Sequence, residues 1–324
     1  MPEAVSATST GSCFTADRDF FTKRQSVTGL ARNSDKIIVS RVTDFGMNES
    51  HPPSPTLVDG TLWIVWKPIG FAQYDFAFEE QFPCTHPIFL EREITSIARL
   101  GSAQDYARRF REMGEWNIRL INSPEEYQRS SLLPCWYPLI SEFTPRSVWF
   151  DRIPTVDQVT AAFEFPIFIK GERQTNQHSR SQSIIETRED LCRLLEEWSS
   201  ETILWWQRLV CREFVRLRPV AKDCGMAIPK SYEFRTFWFR GELVGVGRYW
   251  VSENYTITQR GLEQISEIGR VVAARLRVPF LVIDFAETCD GTWLVIECND
   301  GQDSGYAGVT AREMWTKVIE QLRR

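Results

Sequence analysis

Several things that a chain of this size could carry are missing from it. No apolar run approaches the roughly 18 residues that a membrane-spanning helix needs, so a helical membrane protein is not expected. The eight cysteines, at 13, 84, 135, 192, 211, 224, 289 and 298, include no Cys-x-x-Cys pair. They read as reduced, partly buried thiols of a cytoplasmic protein rather than as a disulfide framework. Only three histidines occur, His51, His86 and His178, none at zinc spacing, which argues against zinc chemistry. The N-terminal stretch Met1–Thr10 lacks a charged start followed by an apolar block, so it does not read as a secretory signal. Positive charge is not in excess: 38 Lys and Arg stand against 43 Asp and Glu, a net charge of −5, which disfavours a general nucleic-acid binder.

What is present is an ordinary globular balance. With 324 residues, 43% hydrophobic and 25% charged, the chain can form two or three domains with a large core. Residues 1–60 read as a partly mobile N-terminal arm: Ser and Thr dominate 1–34, a short β run follows at Ile37-Ile38-Val39, and His51-Pro-Pro-Ser-Pro breaks the chain. A strand is expected at Thr61–Trp66. From Glu91 to Met113 the residues Ile94, Ile97, Ala98, Tyr106, Phe110 and Met113 fall at helical spacing, with Gly114 as the stop. After a short strand at Asn117–Ile121, Ser123-Pro124-Glu125-Glu126 is a helix start, with Ser123 as cap and Pro124 in the first turn. Residues 61–145 thus read as a small α/β domain. From 146 onward the pattern gives strands at Arg146–Phe150 and Phe165–Lys170, a helix starting at Thr187, strands at about 203–217, 232–240 and 242–250, and helices at about 261–277 and Thr310–Leu322.

The stretch Phe280–Gly301 holds two apolar, β-branched runs around Asp290-Gly291, a strong hairpin signal because both central residues of a type I′ turn take positive φ. A two-residue turn there puts Asp284 directly opposite Glu297 on one face, with Asn299 returning to that face and Leu281, Ile283, Leu294 and Ile296 filling the other. Facing like charges are destabilising unless neutralised, and hard oxygen ligands of this kind suit magnesium shared with phosphates.

Two further positions could meet such a ligand. Lys170 ends an apolar strand and can present a point charge to a phosphate. In Ser231–Phe239 strict alternation places Glu233 and Arg235 on one face, where the carboxylate suits ribose hydroxyls and the guanidinium suits phosphate, or else an ion pair with a neighbouring acid. With a turn at Arg240-Gly241, Arg248 faces Glu233 and joins the same cluster.

In the order of these elements and the residues on them, Arg146–Arg324 resembles an ATP-grasp domain. The resemblance implies an α+β fold: an ATP-grasp fold of two subdomains, preceded by a small α/β pre-ATP-grasp domain at 61–145. It implies that Lys170 is the strand lysine, that Arg212-Glu213-Phe214-Val215 is the hinge at the adenine, that Glu233 binds ribose, and that Asp284, Glu297 and Asn299 hold magnesium, or manganese in its place. The chain departs from the family in having no lysine between Lys67 and Lys170; Arg146 or Arg152 then stands in for the earlier phosphate-binding lysine. Its flap, Gly171–Ser179, has a single glycine, so Arg173, Thr175, His178 and Ser179 replace backbone cradling. These departures set it outside the D-alanine ligase and carboxylase branches.

The implied function is an ATP-dependent ligase that forms an acylphosphate on a carboxylate and passes it to an amine or other nucleophile. Lys170, Arg235 and Arg248 then act on the transferring phosphoryl group. The partners implied are ATP and an acceptor, a small molecule or peptide, with a protein partner for the alternative reading of an ATP-binding assembly chaperone. A phosphotransferase is the third reading. Gly301–Gly308 either lines the acceptor pocket or merely connects to the last helix.

Overall fold

The computed structural model describes residues 55–66, 76–99, 105–173, 179–200, 207–222, 225 and 228–324. The β run at Ile37–Val39, the turn beginning at His51, and Thr175 and His178 lie outside the described residues.

The first sheet is built from β1 (Pro55–Val58), β2 (Leu62–Trp66), β3 (Cys84–Thr85), β4 (Ile94–Arg99) and β5 (Ile118–Leu120), in the order β3-β1-β2-β4-β5. Pairing of Pro55–Val58 with β2 brings into this sheet residues expected to belong to the arm. The helix expected over Glu91–Met113 is corrected to strand β4 followed by helix α2 (Tyr106–Gly114), after the short α1 (Phe78–Gln81). Ile94, Ile97 and Ala98 fit a helical stripe equally well by spacing. However, β4 lies between two parallel neighbours, and a strand covered on both faces is apolar without strict alternation. The next helix, α3 (Pro124–Ser131), starts as its residues dictate: the Ser123 hydroxyl accepts from Glu126 N, and the Glu126 carboxylate accepts from Ser123 N. Helix α4 (Leu133–Ile140) follows.

A second sheet, β6 (Ser147–Phe150), β7 (Ile167–Gly171), β8 (Ile184–Ile185) and β9 (Leu209–Glu213), runs β6-β9-β7-β8, antiparallel throughout. Strand β9 is shorter than the expected 203–217. Helix α5 (Val156–Thr160) and helix α7 (Arg188–Glu197) cover this sheet with Val159, Leu191 and Leu194, while α6 (Arg180–Ser183) is a single turn.

The central sheet carries the site. It consists of β10 (Glu233–Phe239), β11 (Glu242–Arg248), β12 (Phe280–Glu287) and β13 (Trp293–Asp300), in the antiparallel order β11-β10-β12-β13. Helix α8 (Gln259–Leu276) and α4 bury one face against Phe234, Trp238, Leu281 and Ile283. Helix α9 (Ala311–Leu322) and the first sheet bury part of the other, around Phe237, Phe239, Phe280 and Val282. Beyond Val282 and Phe237 that second face turns polar, and its charged end is the candidate site.

Candidate functional site

Side-chain alternation along β10 and β12 brings Glu233, Arg235 and Asp284 onto one face, with Arg235 directly opposite Asp284. The expected pairing of Asp284 with Glu297 is present, and Asn299 lies opposite Val282 on the same face. The turn behind this pairing differs from expectation. Only Gly291 has positive φ, +87°, and Thr288 N donates to Thr292 O across a longer loop. A bulge between Asp284 and Phe285 restores the register, and Ile296 is the extra residue on β13. Past the bulge the parity of β13 inverts: Trp293 and Val295 reach the core in place of the expected Leu294 and Ile296, while Cys298, on the Asp284 side of the bulge, keeps the core face.

The bulge leaves the Ile296 carbonyl outside the ladder, and the Arg212 guanidinium takes it up. Arg212 Nη1 donates to Ile296 O (2.8 Å), Nη2 to Thr144 Oγ1 (2.6 Å) and Nε to Ser147 Oγ (3.1 Å). Burial pushes this guanidinium down to about 10, opposed by the nearby Glu297. The Arg212 side chain, expected at the nucleotide, is thus committed to joining β9, β6 and β13. Glu213 is exposed and Phe214 and Val215 half-buried where the chain leaves β9 for the central sheet.

The carboxylates are each met by a cation of the protein. Arg235 forks onto Asp284, Nε to Oδ1 at 2.9 Å and Nη2 to Oδ2 at 2.8 Å, and its Nη1 donates to Gly305 O at 2.9 Å. Lys170, buried at the end of β7, reaches across from the second sheet to form an ion pair with Glu297. Burial alone would lower the Arg235 guanidinium, but Asp284 holds it above its ordinary value. Burial pushes the Asp284 carboxyl up against the pull of Arg235. Glu233 is pushed up to about 8 by burial and by Asp284, with Ser231 Oγ donating to its Oε2 at 3.0 Å.

Arg248 does not face Glu233. The two-residue turn at Arg240-Gly241 forms as expected, both residues at positive φ, but a bulge at Val244 slides the register so that Arg248 stands opposite Phe234. Tyr249 takes the expected place: its N donates to Glu233 O (2.9 Å), and Arg235 stacks over its ring at 5.0 Å. Sequence reasoning misses Tyr249 because nothing in Glu242–Arg248 announces the bulge. Arg146 lies exposed over the Phe163 ring (4.4 Å), and Arg152 is also exposed.

Among the described residues no group of three or more His, Cys, Asp and Glu side chains is arranged to hold a metal. The donor set here is two carboxylates and an amide oxygen on adjacent strands, which by chemistry fits a hard divalent cation. Beside it, Tyr127 OH donates to Asp303 (2.9 Å) and Arg173 pairs with Asp303 (3.3 Å), tying the start of the flap to the loop after β13.

A family model described as an ATP-grasp domain, the third family of its clade, matches residues 157–318. Among solved structures, a RimK-domain ATP-grasp protein from Sphaerobacter thermophilus DSM 20745 is 12% identical, with 71% of this chain and 78% of that one covered and a TM-score of 0.48. The ATP-grasp ligase PsnB, complexed with minimal precursor, Mg and ADP, is 15% identical over 72% of this chain and 79% of its own, with a TM-score of 0.47. D-alanine–D-alanine ligase from Bacillus anthracis complexed with ATP is 12% identical over 71% and 78%, with a TM-score of 0.49. No curated protein matches the sequence.

Proposed function

The chain belongs to this ATP-grasp domain family, and from that premise we propose that it is a magnesium-ATP-dependent ligase of the cytoplasm that joins a carboxylate to an amine or other nucleophile. The observation that carries the reading is the cross-sheet ion pair of Lys170 with Glu297 beside the forked Arg235–Asp284 pair. Two cations and two acids converge where the second and central sheets meet, which suits a ligand that brings both phosphates and a metal.

In this reading Asp284, Glu297 and Asn299 hold magnesium or manganese, and that ion supplies charge neutralisation at the phosphates when bound. Lys170 and Arg235 exchange part of their carboxylate contacts for phosphoryl oxygens, so cationic charge is already in place when the transfer begins. Glu233 accepts from the ribose hydroxyls. The main chain of Glu213, Phe214 and Val215 meets the adenine at the hinge of 211–215 between the subdomains of 146–324, while Arg212 braces it from behind. An acceptor carboxylate oxygen attacks the γ-phosphorus, the bond to the β-phosphate oxygen breaks, and ADP leaves. The nucleophile then attacks the acyl carbon of the acylphosphate, the carbon–oxygen bond breaks, and phosphate departs as the amine loses a proton. No side chain serves as nucleophile. Gly301–Gly308, held by Arg235 at Gly305, lines the acceptor pocket for a small molecule or peptide. Arg248, turned to the Phe234 register, is left out of the transferring group's contacts.

The test is nucleotide release measured with pools of amino acids, peptides and RNA. Acceptor-dependent ADP is the expected outcome; AMP as the product would remove the acylphosphate route, and tight ATP binding without turnover would remove the ligase. Asp284→Asn is expected to weaken magnesium-ATP binding by about tenfold or more, and an unchanged affinity would take Asp284 out of the site.

A further inference from the structure

A second charged feature lies away from the paired carboxylates. Arg119 on β5, Arg240 in the β10–β11 turn, Arg270 on α8 and Arg277 at the C-terminal cap of α8 line one open cleft of about 620 Å³. Ile121 and Val278 give it an apolar floor, and no carboxylate lines it. The cleft sits at the Pro279 end of β12, about 15 Å along the strand from Asp284 by strand rise, so it is not the nucleotide cleft proposed above.

Some exposed arginines elsewhere have acidic partners: Arg218 with Glu287, Arg275 with Glu142, Arg323 with Asp59. None of the four cleft arginines is in an ion pair among the described residues; Arg240 merely stacks on its neighbour Phe239. Four like charges gathered from three elements repel one another, and no carboxylate of the cleft offsets them. Two of them also stand where the backbone disfavours them. Arg240 has φ of 48° and Arg277 of 52°, left-handed positions that a type I′ turn and a helix C-terminus usually give to glycine or asparagine. Arg277 gains from the α8 dipole, but that accounts for one guanidinium of the four.

We propose that this cleft is a binding site for a small, multiply charged oxyanion of the di- or polyphosphate class. Guanidinium forks match phosphate oxygens, and the volume is that of a small-molecule site rather than of a macromolecular surface. No aromatic side chain lines the cleft to stack a base, so the anionic groups rather than a nucleobase are what is recognised. The proposal does not depend on the ligase reading.

The two left-handed arginines make a clean test, because glycine at either position suits the backbone. Pyrophosphate is titrated calorimetrically into the full chain without divalent metal, for the wild type, Arg240→Gly, Arg277→Gly and the double variant. Each glycine variant is expected to lose about tenfold or more in affinity, with melting temperature unchanged or raised, and Asp284→Asn is expected to bind pyrophosphate as the wild type does. Unchanged affinity in the glycine variants would overturn the proposal, as would loss of binding in Asp284→Asn alone, which would place the anion at the carboxylate face. Citrate binding as tightly as pyrophosphate would overturn the phosphate assignment.

Discussion

A carboxyl group enclosed beside another carboxylate gives up its proton late, and Glu233 is such a group, titrating at about 8 through burial and then through Asp284. In the unfolded chain a glutamate titrates at about 4.3. Between these values the native state holds a proton that the unfolded state has lost, so folding stability falls as pH rises through that window. Below the lower value both states are protonated and Glu233 contributes nothing. Glu233→Gln removes the titration while keeping a polar side chain beside Ser231. Urea unfolding of the ligand-free protein is expected to find this variant more stable than the wild type by roughly 1–4 kcal/mol at about pH 9, with the gap closing toward about pH 4. A gap of the same size and sign at both pH values would show that Glu233 is not the group responsible. Arg212 teaches the complementary lesson. Its position before Glu213-Phe214-Val215 marks it for the nucleotide, but the reach of its side chain lets it turn inward to the Ile296 carbonyl, and sequence carries no sign of which way a long cation points.

At the scale of the element, the central sheet is readable where alternation holds and unreadable where a bulge intervenes. The Asp284–Glu297 pairing follows in sequence from a two-residue turn that does not form; the loop is longer, and the bulge at Ile296 returns the register. Two departures cancel there. On β11 the Arg240-Gly241 turn does form, but the bulge at Val244 has no counterpart, so alternation misplaces Arg248 and passes over Tyr249. Bulges answer to packing across the sheet, and for β11 that packing is visible in its glycines. Gly247 stands opposite Arg235, and a Cβ there would lie 2.1 Å from Gly308 C and Val309 N. This close approach seats the loop after β13, whose Gly305 carbonyl Arg235 holds. Gly247→Ala must push backbone away from backbone, and a cost of roughly 1–3 kcal/mol is expected, together with faster proteolytic cleavage within 301–309. A fully stable variant with that loop still protected would mean that β11 does not position it.

Across the whole molecule, the described residues form one compact unit, and the side chains that lock it come from segments some two hundred positions apart. Arg99, buried at the end of β4, donates to Gly301 O (2.8 Å), Gln302 O (3.0 Å) and Ser304 O (3.0 Å), while Ala98 N donates to Gln302 Oε1 (2.8 Å). Asn122 bridges the Phe280 backbone and Asp300. Sequence patterns report neighbours along a strand or helix, and for that reason Arg99 draws no notice: its partners are main-chain carbonyls that no motif encodes. Through it the first sheet fixes the loop that follows Glu297 and Asn299, so the sheet acts on the candidate site while contributing no side chain to the carboxylate cluster. Arg99→Met keeps the apolar stem and removes every donor, leaving three carbonyls turned toward an apolar space. The expected loss is roughly 3 kcal/mol or more, seen in denaturant as one cooperative transition at lower midpoint, because sheets joined this tightly do not unfold separately. Two resolved transitions in the variant, with the second at the wild-type midpoint, would mean that the first sheet is a detachable layer and that the loop keeps its place without it.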